Sequence, residues 1–313
     1  MRISTSMMFE RSQNAMQSRQ SDLSKVGEQV ASGKRIVSPS DDPRAASQAL
    51  IVKQDQAVQE QYKDSRITAT NTLSLQENTL NSVSDLLVSA KGLIVKGGNG
   101  TYTDSDRASV ATELEGLYNQ MLGLANTRDS NGQYMFAGSQ GDVKPFETAD
   151  NGLVEPYAGD ARPLNVQVDA SRSMDVNAAG SNVFRVPATK AGDDESDLFK
   201  VFETAIATLR TPQTAENQDE LRATLDQANR KIDSGSDNVL SVRSGIGSKL
   251  NELDVLSDIG DTRTISNKVA LSDLEDLDYA EAISRYTLGQ IGLEASQKMF
   301  MQTQQTSLFS LIR

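Results

Sequence analysis

The chain has no cysteine and no histidine. Disulfides, thiolate nucleophiles, the usual zinc ligands and the commonest general base are removed together, so neither an enzyme nor a cofactor is expected. A chain without thiols is also indifferent to its redox compartment. Tryptophan is absent, aromatic residues make up 5% of the 313 residues, and hydrophobic residues 37%. That is little material for a thick globular core, and it suits an elongated, helix-rich molecule. The length exceeds what one core usually fills, so two or three structural regions are expected. The formal net charge is −12. With no basic patch interleaved with aromatics, nucleic acid is not an expected partner. No hydrophobic run approaches a membrane span, and Met1 to Ser6 lead into Glu10 and Arg11 without the apolar core of a secretory signal. Taken alone, this reads as a cytoplasmic chain with no membrane partner, although export routes without a cleaved signal leave no such mark.

Proline is scarce, and its placement divides the chain. Pro39 and Pro43 come early, Pro145, Pro156, Pro163 and Pro187 cluster in the middle, and Pro212 follows. An internal proline costs a helix about 3 kcal/mol. Long helices are therefore expected between Pro43 and Pro145 and from Gln213 onward.

What is present is a set of heptads. Phe9, Met16, Leu23 and Val30 recur at steps of seven before the run Ser38-Pro39-Ser40-Asp41-Asp42-Pro43. Val26 is the only large apolar residue at the second core position, where Ser12 and Arg19 otherwise stand, so this is half a seam. The tail offers the other half in Leu288, Ile291, Ala295 and Met299, at steps of three, four and four. Residues 1–35 carry six basic and three acidic side chains, and residues 271–313 reverse that proportion. The ends should attract mildly. The alternative is two ordinary surface helices.

Asp42 as N-cap with Pro43 in the first turn should open a second helix. Leu73, Leu80, Leu87 and Ile94, with Val83 and Ala90, give it a seam that Gly97-Gly98-Asn99-Gly100 ends. Val110, Leu114, Leu117, Met121 and Leu124 mark a third helix starting near Asp104. From Asn131 the period changes to two, through Tyr134-Met135-Phe136 and then Leu164, Val166 and Val168. Together with Met174, Val176, Phe184 and Val186, these predict a β-rich insertion, followed by a polar loop from Gly192 to Ser196. A helix over Leu198 to Leu209 precedes Leu225, Ile232, Val239, Ile246 and Leu253 at unbroken sevens. That last seam, accompanied by Val242 and Leu256, predicts a coiled-coil-like helix antiparallel to the Leu73 to Ile94 stripe, although Gly235, Gly245 and Gly247 interrupt it.

The expected fold is mainly α: an elongated antiparallel helical bundle with a terminal N/C coiled coil and a small β-rich insertion. Residues 1–43 and 271–313 would form the coiled-coil assembly domain, 44–131 and 196–270 the bundle, and 132–195 the insertion. The glycine run at Gly97 lacks the lysine and hydroxyl of a phosphate loop and follows a helix, so it reads as a helix-ending turn. Asp193-Asp194-Glu195 lacks the ligand spacing of a calcium loop and reads as a solvated loop. Asp41-Asp42 reads as helix capping, not a catalytic pair.

Six runs in order carry a resemblance. They are Met1-Arg2-Ile3-Ser4-Thr5, Ser32-Gly33-Lys34-Arg35, Pro39-Ser40-Asp41-Asp42-Pro43, Asn131-Gly132-Gln133-Tyr134-Met135-Phe136-Ala137-Gly138, Glu275-Asp276-Leu277-Asp278-Tyr279-Ala280 and Leu308-Phe309-Ser310-Leu311-Ile312-Arg313. Together they resemble the flagellin superfamily, and the opening run, Ser40-Asp41-Asp42-Pro43 and the short middle are more similar to its hook-associated branch than to flagellin. The resemblance implies a structural ring between a hook-side junction protein of the FlgK type and the first flagellin subunits, serving motility. It also implies unfolded export through the flagellar type III channel, hence a secreted, extracellular place, with a chaperone holding the C-terminal helix beforehand. The assembly interface is expected at Phe9, Met16, Leu23, Val26, Val30, Leu288, Ile291, Ala295 and Met299. Competing readings are a minor flagellin that polymerises into filament and a cytoplasmic coiled-coil scaffold.

Overall fold

A computed structural model describes residues 2–149, 152–188 and 196–309. The acidic run Asp193-Asp194-Glu195 and the terminal Ser310 to Arg313 lie outside them. The described chain is mainly helical, with two small antiparallel sheets. Helix α1 spans Arg2–Ser32, α2 Pro43–Gly97 and α3 Asp104–Ala125. Strands β1 (Asn165–Asp169) and β2 (Arg172–Asp175) form a hairpin, followed by the short α4 (Gly180–Val183). Strand β3 (Arg185–Val186) pairs with β4 (Ser196–Asp197), and α5 (Leu198–Arg210), α6 (Gln218–Glu275) and α7 (Tyr279–Phe309) complete the chain.

Local chemistry sets these boundaries. Gly33 takes a φ of 70°, so α1 ends there, before the Ser38 to Pro43 run is reached. Asp42 accepts from Ala45 N at 3.0 Å, capping a helix whose first residue is Pro43. A capping box between Thr103 and Asp106 opens α3. Gly97 ends α2 where a Cβ would lie 2.5 Å from Leu209. The glycines of α6 do not break it. Gly235 packs directly against Leu198, while a Cβ at Gly245 or Gly247 would meet open space.

The chain divides into two compact units, Met1–Gln59 with Asp261–Arg313, and Glu60–Gly260. In the second unit α2 and α6 run antiparallel, as the seams predict. Lys91 meets Asp233 at 2.6 Å, and Arg243 meets Glu77 at 2.7 Å. Leu73, Leu80, Leu87 and Ile94 are buried against a core that includes Leu225, Ile232, Val239, Ile246 and Leu253. Helices α3 and α5 pack on one another, with Arg210 on Glu115 at 2.7 Å and Tyr118 donating to Glu203 at 2.8 Å.

One residue in this core is out of character. Gln76 shares a heptad position with Ala69, Val83 and Ala90, is completely buried, and has no partner for either amide atom among the described residues. Unpaired buried amide groups are costly. Gln76→Leu is therefore expected to stabilise the second unit by about 1 to 2 kcal/mol, read as a higher melting temperature by circular dichroism. An unchanged or lower melting temperature would contradict this.

The middle region carries less sheet than the alternation of residues suggests. Tyr134-Met135-Phe136 is not a strand: only an isolated bridge joins Tyr134 to Arg128, and the chain then turns. Asp129 Oδ1 draws in the amides of Asn131 and Gln133, and positive φ at Gly132 and Gly138 coils the segment. A Cβ at Gly138 would collide with Asp160 O. Side-chain packing replaces strand pairing here. Phe136, Phe146, Phe184 and Phe199 form one aromatic cluster, with edge-on Phe136–Phe184 and Phe146–Phe184 contacts at 5.6 and 5.3 Å.

Candidate assembly interface

Helices α1 and α2, and α6 and α7, break side by side in the first unit, and polar groups hold the two breaks together. Arg35 N donates to Glu275 O at 2.7 Å, Leu277 N to Gly33 O at 3.1 Å, and the Arg35 guanidinium to Leu274 O at 2.8 Å. Gln29, buried, donates to Arg35 O at 2.6 Å. The buried Glu275 carboxylate bridges Lys34, at 3.1 Å, and Lys53. Beside it Arg35 reaches Asp42 at 3.3 Å, and Lys25 reaches Asp41 at 2.7 Å. Two separated runs, Ser32 to Arg35 and Glu275 to Ala280, thus form one clasp.

The Lys53 hydrogen bond holds the Glu275 carboxyl below the ordinary glutamate range against the opposing effect of burial, and Lys34 adds to the lowering. A carboxyl whose pKa is lower in the fold stabilises it above the unfolded value near 4.5, and that stabilisation is lost as pH falls through the folded value. Both lysines are partly in solvent, so Glu275→Gln is expected to cost about 1 kcal/mol at neutral pH. It should also flatten the acid limb of amide protection at Gly33 and Arg35. An acid limb identical to that of the parent would contradict the assignment.

Beyond the clasp, α1 and α7 run antiparallel. Gly33 faces the Tyr279 hydroxyl, Gly27 faces Tyr286, Gly289 faces Leu23, and the Phe9 and Phe300 rings lie 5.0 Å apart. The chain ends therefore pair, but not through the expected residues on α7. Met16, Leu23, Val26 and Val30 are half-buried on α1, whereas Leu288, Ile291 and Met299 are 67%, 59% and 69% exposed and Ala295 is exposed. The stripe turned toward α1 is Ala282, Tyr286, Gly289, Leu293, Ser296 and Phe300, at alternating steps of four and three. A search for large apolar side chains passes over it because Gly289 and Ser296 hold two of its places. The small residue is what matters: a Cβ at Gly289 would lie 3.1 Å from Leu23 Cδ1, tighter than ordinary packing. Helix α7 thus has two apolar sides, one on α1 and one that is mostly exposed.

Among the described residues the first unit has no core of its own. The contiguous buried cluster runs from Ala69 to Leu253, all in the second unit. Among described residues the first unit buries only Ala45, Ala49, Leu277 and Ala282 as apolar side chains. Leu50, Ile51, Ile265, Val269, Leu288, Ile291 and Met299 are each more than half exposed. The described residues hold no cluster of potential metal ligands, and no described helix is long and apolar enough to cross a membrane.

Residues 3–141 match the bacterial flagellin N-terminal helical region, and residues 224–312 match the bacterial flagellin C-terminal helical region. The chain belongs to the flagellin family. It is 40% identical over 321 residues to flagellar hook-associated protein 3 of Salmonella typhimurium, covering 100% of both chains. It is 41% identical over 319 residues to flagellar hook-associated protein 3 of Escherichia coli K12, covering 99% of each. A solved structure of a putative flagellar hook-associated protein from Vibrio parahaemolyticus is similar with a TM-score of 0.67 at 26% identity, over 75% of this chain and 100% of that one. This member of the flagellin family is a structural flagellar protein of the hook-associated kind. Its clasp and its two-sided α7 lie within the matched flagellin regions.

Proposed function

We propose that this chain forms a single ring at the hook–filament junction, adapting a hook-side junction protein to the first flagellin subunits. The observation that carries this reading is the first unit, which has helices and exposed apolar stripes but no core among the described residues. Neighbouring copies would cover the exposed apolar side formed by Leu288, Ile291, Ala295 and Met299. The α1 seam at Phe9, Met16, Leu23, Val26 and Val30 would fix α7 in place. In this reading the assembly domain is built from residues 1–43 and 271–313, the bundle from 44–131 and 196–270, and the insertion from 132–195. The chain acts outside the cell after unfolded export, and before export a cytoplasmic chaperone covers the exposed side of the C-terminal helix. Full-length coverage of two hook-associated relatives supports the adaptor over a minor flagellin, because the flagellin of Listeria monocytogenes is 22% identical over a comparable span.

Stoichiometry tests this. Quantitative mass spectrometry of flagella grown to different filament lengths is expected to give a fixed number of copies per hook. Copy number rising in proportion to filament length would make the chain a filament subunit and overturn the adaptor reading.

A further inference from the structure

We propose that the cleft between α5 and α6 in the second unit binds a small carboxylate-bearing ligand of sugar-acid size. The cavity measures about 230 Å³ and is lined by Ser196, Lys200, Thr204, Thr224, Gln227 and Lys231 over a floor of Val201 and Ala228. That is below the roughly 300 to 1,000 Å³ of sites for drug-sized ligands, so one sugar-sized ring fits and an oligomer does not.

The lining chemistry selects the ligand. Among the described residues that line the cleft, both charged side chains are cations. Lys200 and Lys231 form no ion pair among the described residues, as is true of most lysines of this chain. The Lys231 ammonium donates a long hydrogen bond to Ser196 Oγ, at 3.4 Å. Two lysines lining one cavity with no ion-pair partner among the described residues suit a carboxylate, which accepts several charge-assisted hydrogen bonds. The hydroxyls of Thr204 and Thr224 already donate to the carbonyls of Lys200 and Glu220, at 2.8 and 2.9 Å. Their hydroxyl hydrogens are therefore used, and the oxygens keep lone pairs that accept from hydroxyl groups. Gln227 adds a donor and an acceptor, and the Val201–Ala228 floor offers the apolar contact that the C–H face of a sugar ring makes. A simple inorganic anion uses the lysines and leaves the threonine acceptors unmet. A sugar acid engages both.

The test is an amide-resolved NMR titration of the full chain with glucuronate, with parallel titrations of glucose and acetate. Saturable shifts at Thr204, Thr224 and Gln227 with glucuronate are expected, weaker ones with acetate and none with glucose. The variant carrying Lys200→Gln and Lys231→Gln is expected to bind glucuronate at least about ten-fold more weakly. It should melt as the parent does, because neither side chain belongs to the buried core. Added salt should weaken binding in the parent. No saturable shift with glucuronate, an equal affinity for acetate, a response to glucose, or undiminished binding in the double variant would each overturn the proposal.

Discussion

Aspartate at Ile232 is expected to unfold the second unit, whereas aspartate at Leu288 leaves its melting where it was. Ile232 is 1% exposed and lies in the middle of the α6 seam between Leu225 and Val239, packed into the buried cluster. The substitution removes a buried aliphatic side chain and puts a carboxyl where nothing pairs with it. The combined cost is at least about 4 kcal/mol, a large part of the 5 to 15 kcal/mol that holds a typical domain together. Leu288 is 67% exposed on the outer side of α7, so the same change there should alter monomer stability by no more than about 0.5 kcal/mol. Its effect should appear in assembly instead, as failure to incorporate at the junction. Thermal melting of the two purified variants separates these sites. Equal loss of stability in both would mean that α7 is part of the folding core and that its outer stripe is no assembly surface.

The second large effect is expected from truncation. A chain of residues 60–260 keeps the whole buried cluster from Ala69 to Leu253 and should melt close to the full-length protein, yet assemble not at all. The reason is quantitative. Ordering a residue costs about 1 to 2 kcal/mol in backbone entropy, and the first unit offsets this with three alanines and Leu277 as its buried apolar side chains among the described residues. Half-buried contacts such as Phe9–Phe300 and Leu23–Gly289 contribute less than a closed core does. Truncation therefore removes little stability and all of the proposed interface. A steep fall in melting temperature on truncation would show that the ends carry folding energy.

The bundle was legible in the sequence because its signal is simple. Large aliphatic residues held at sevens from Leu73 to Ile94 and from Leu225 to Leu253 turned out to be buried, and between Pro145 and Pro187 the only helix among the described residues is the four-residue α4. The middle was legible only in outline. The alternation at Tyr134-Met135-Phe136 looks like a strand until Asp129, Gly132 and Gly138 coil the chain, and aromatic packing then does what a sheet would have done. On α7 the pairing of the chain ends was readable from charge and apolar content, but its register was not. The helix is apolar on two sides, and the side turned to α1 depends on the room left by Gly289, a cue invisible to a count of large side chains. The clasp at Glu275 was present in the sequence as motifs, but nothing in the spacing brought residues 33–35 to residues 274–277.

The claim on which the rest depends is that the first unit gains its core only by assembly. Hydrogen exchange, measured residue by residue on dilute monomer and on assembled junctions, tests it most directly. The account predicts that in the monomer the amides of α1 and α7 exchange orders of magnitude faster than those of α2 and α6 between Ala69 and Leu253, and that assembly slows them to a comparable rate. Slow exchange of α1 and α7 in dilute monomer, unchanged by assembly, would contradict it.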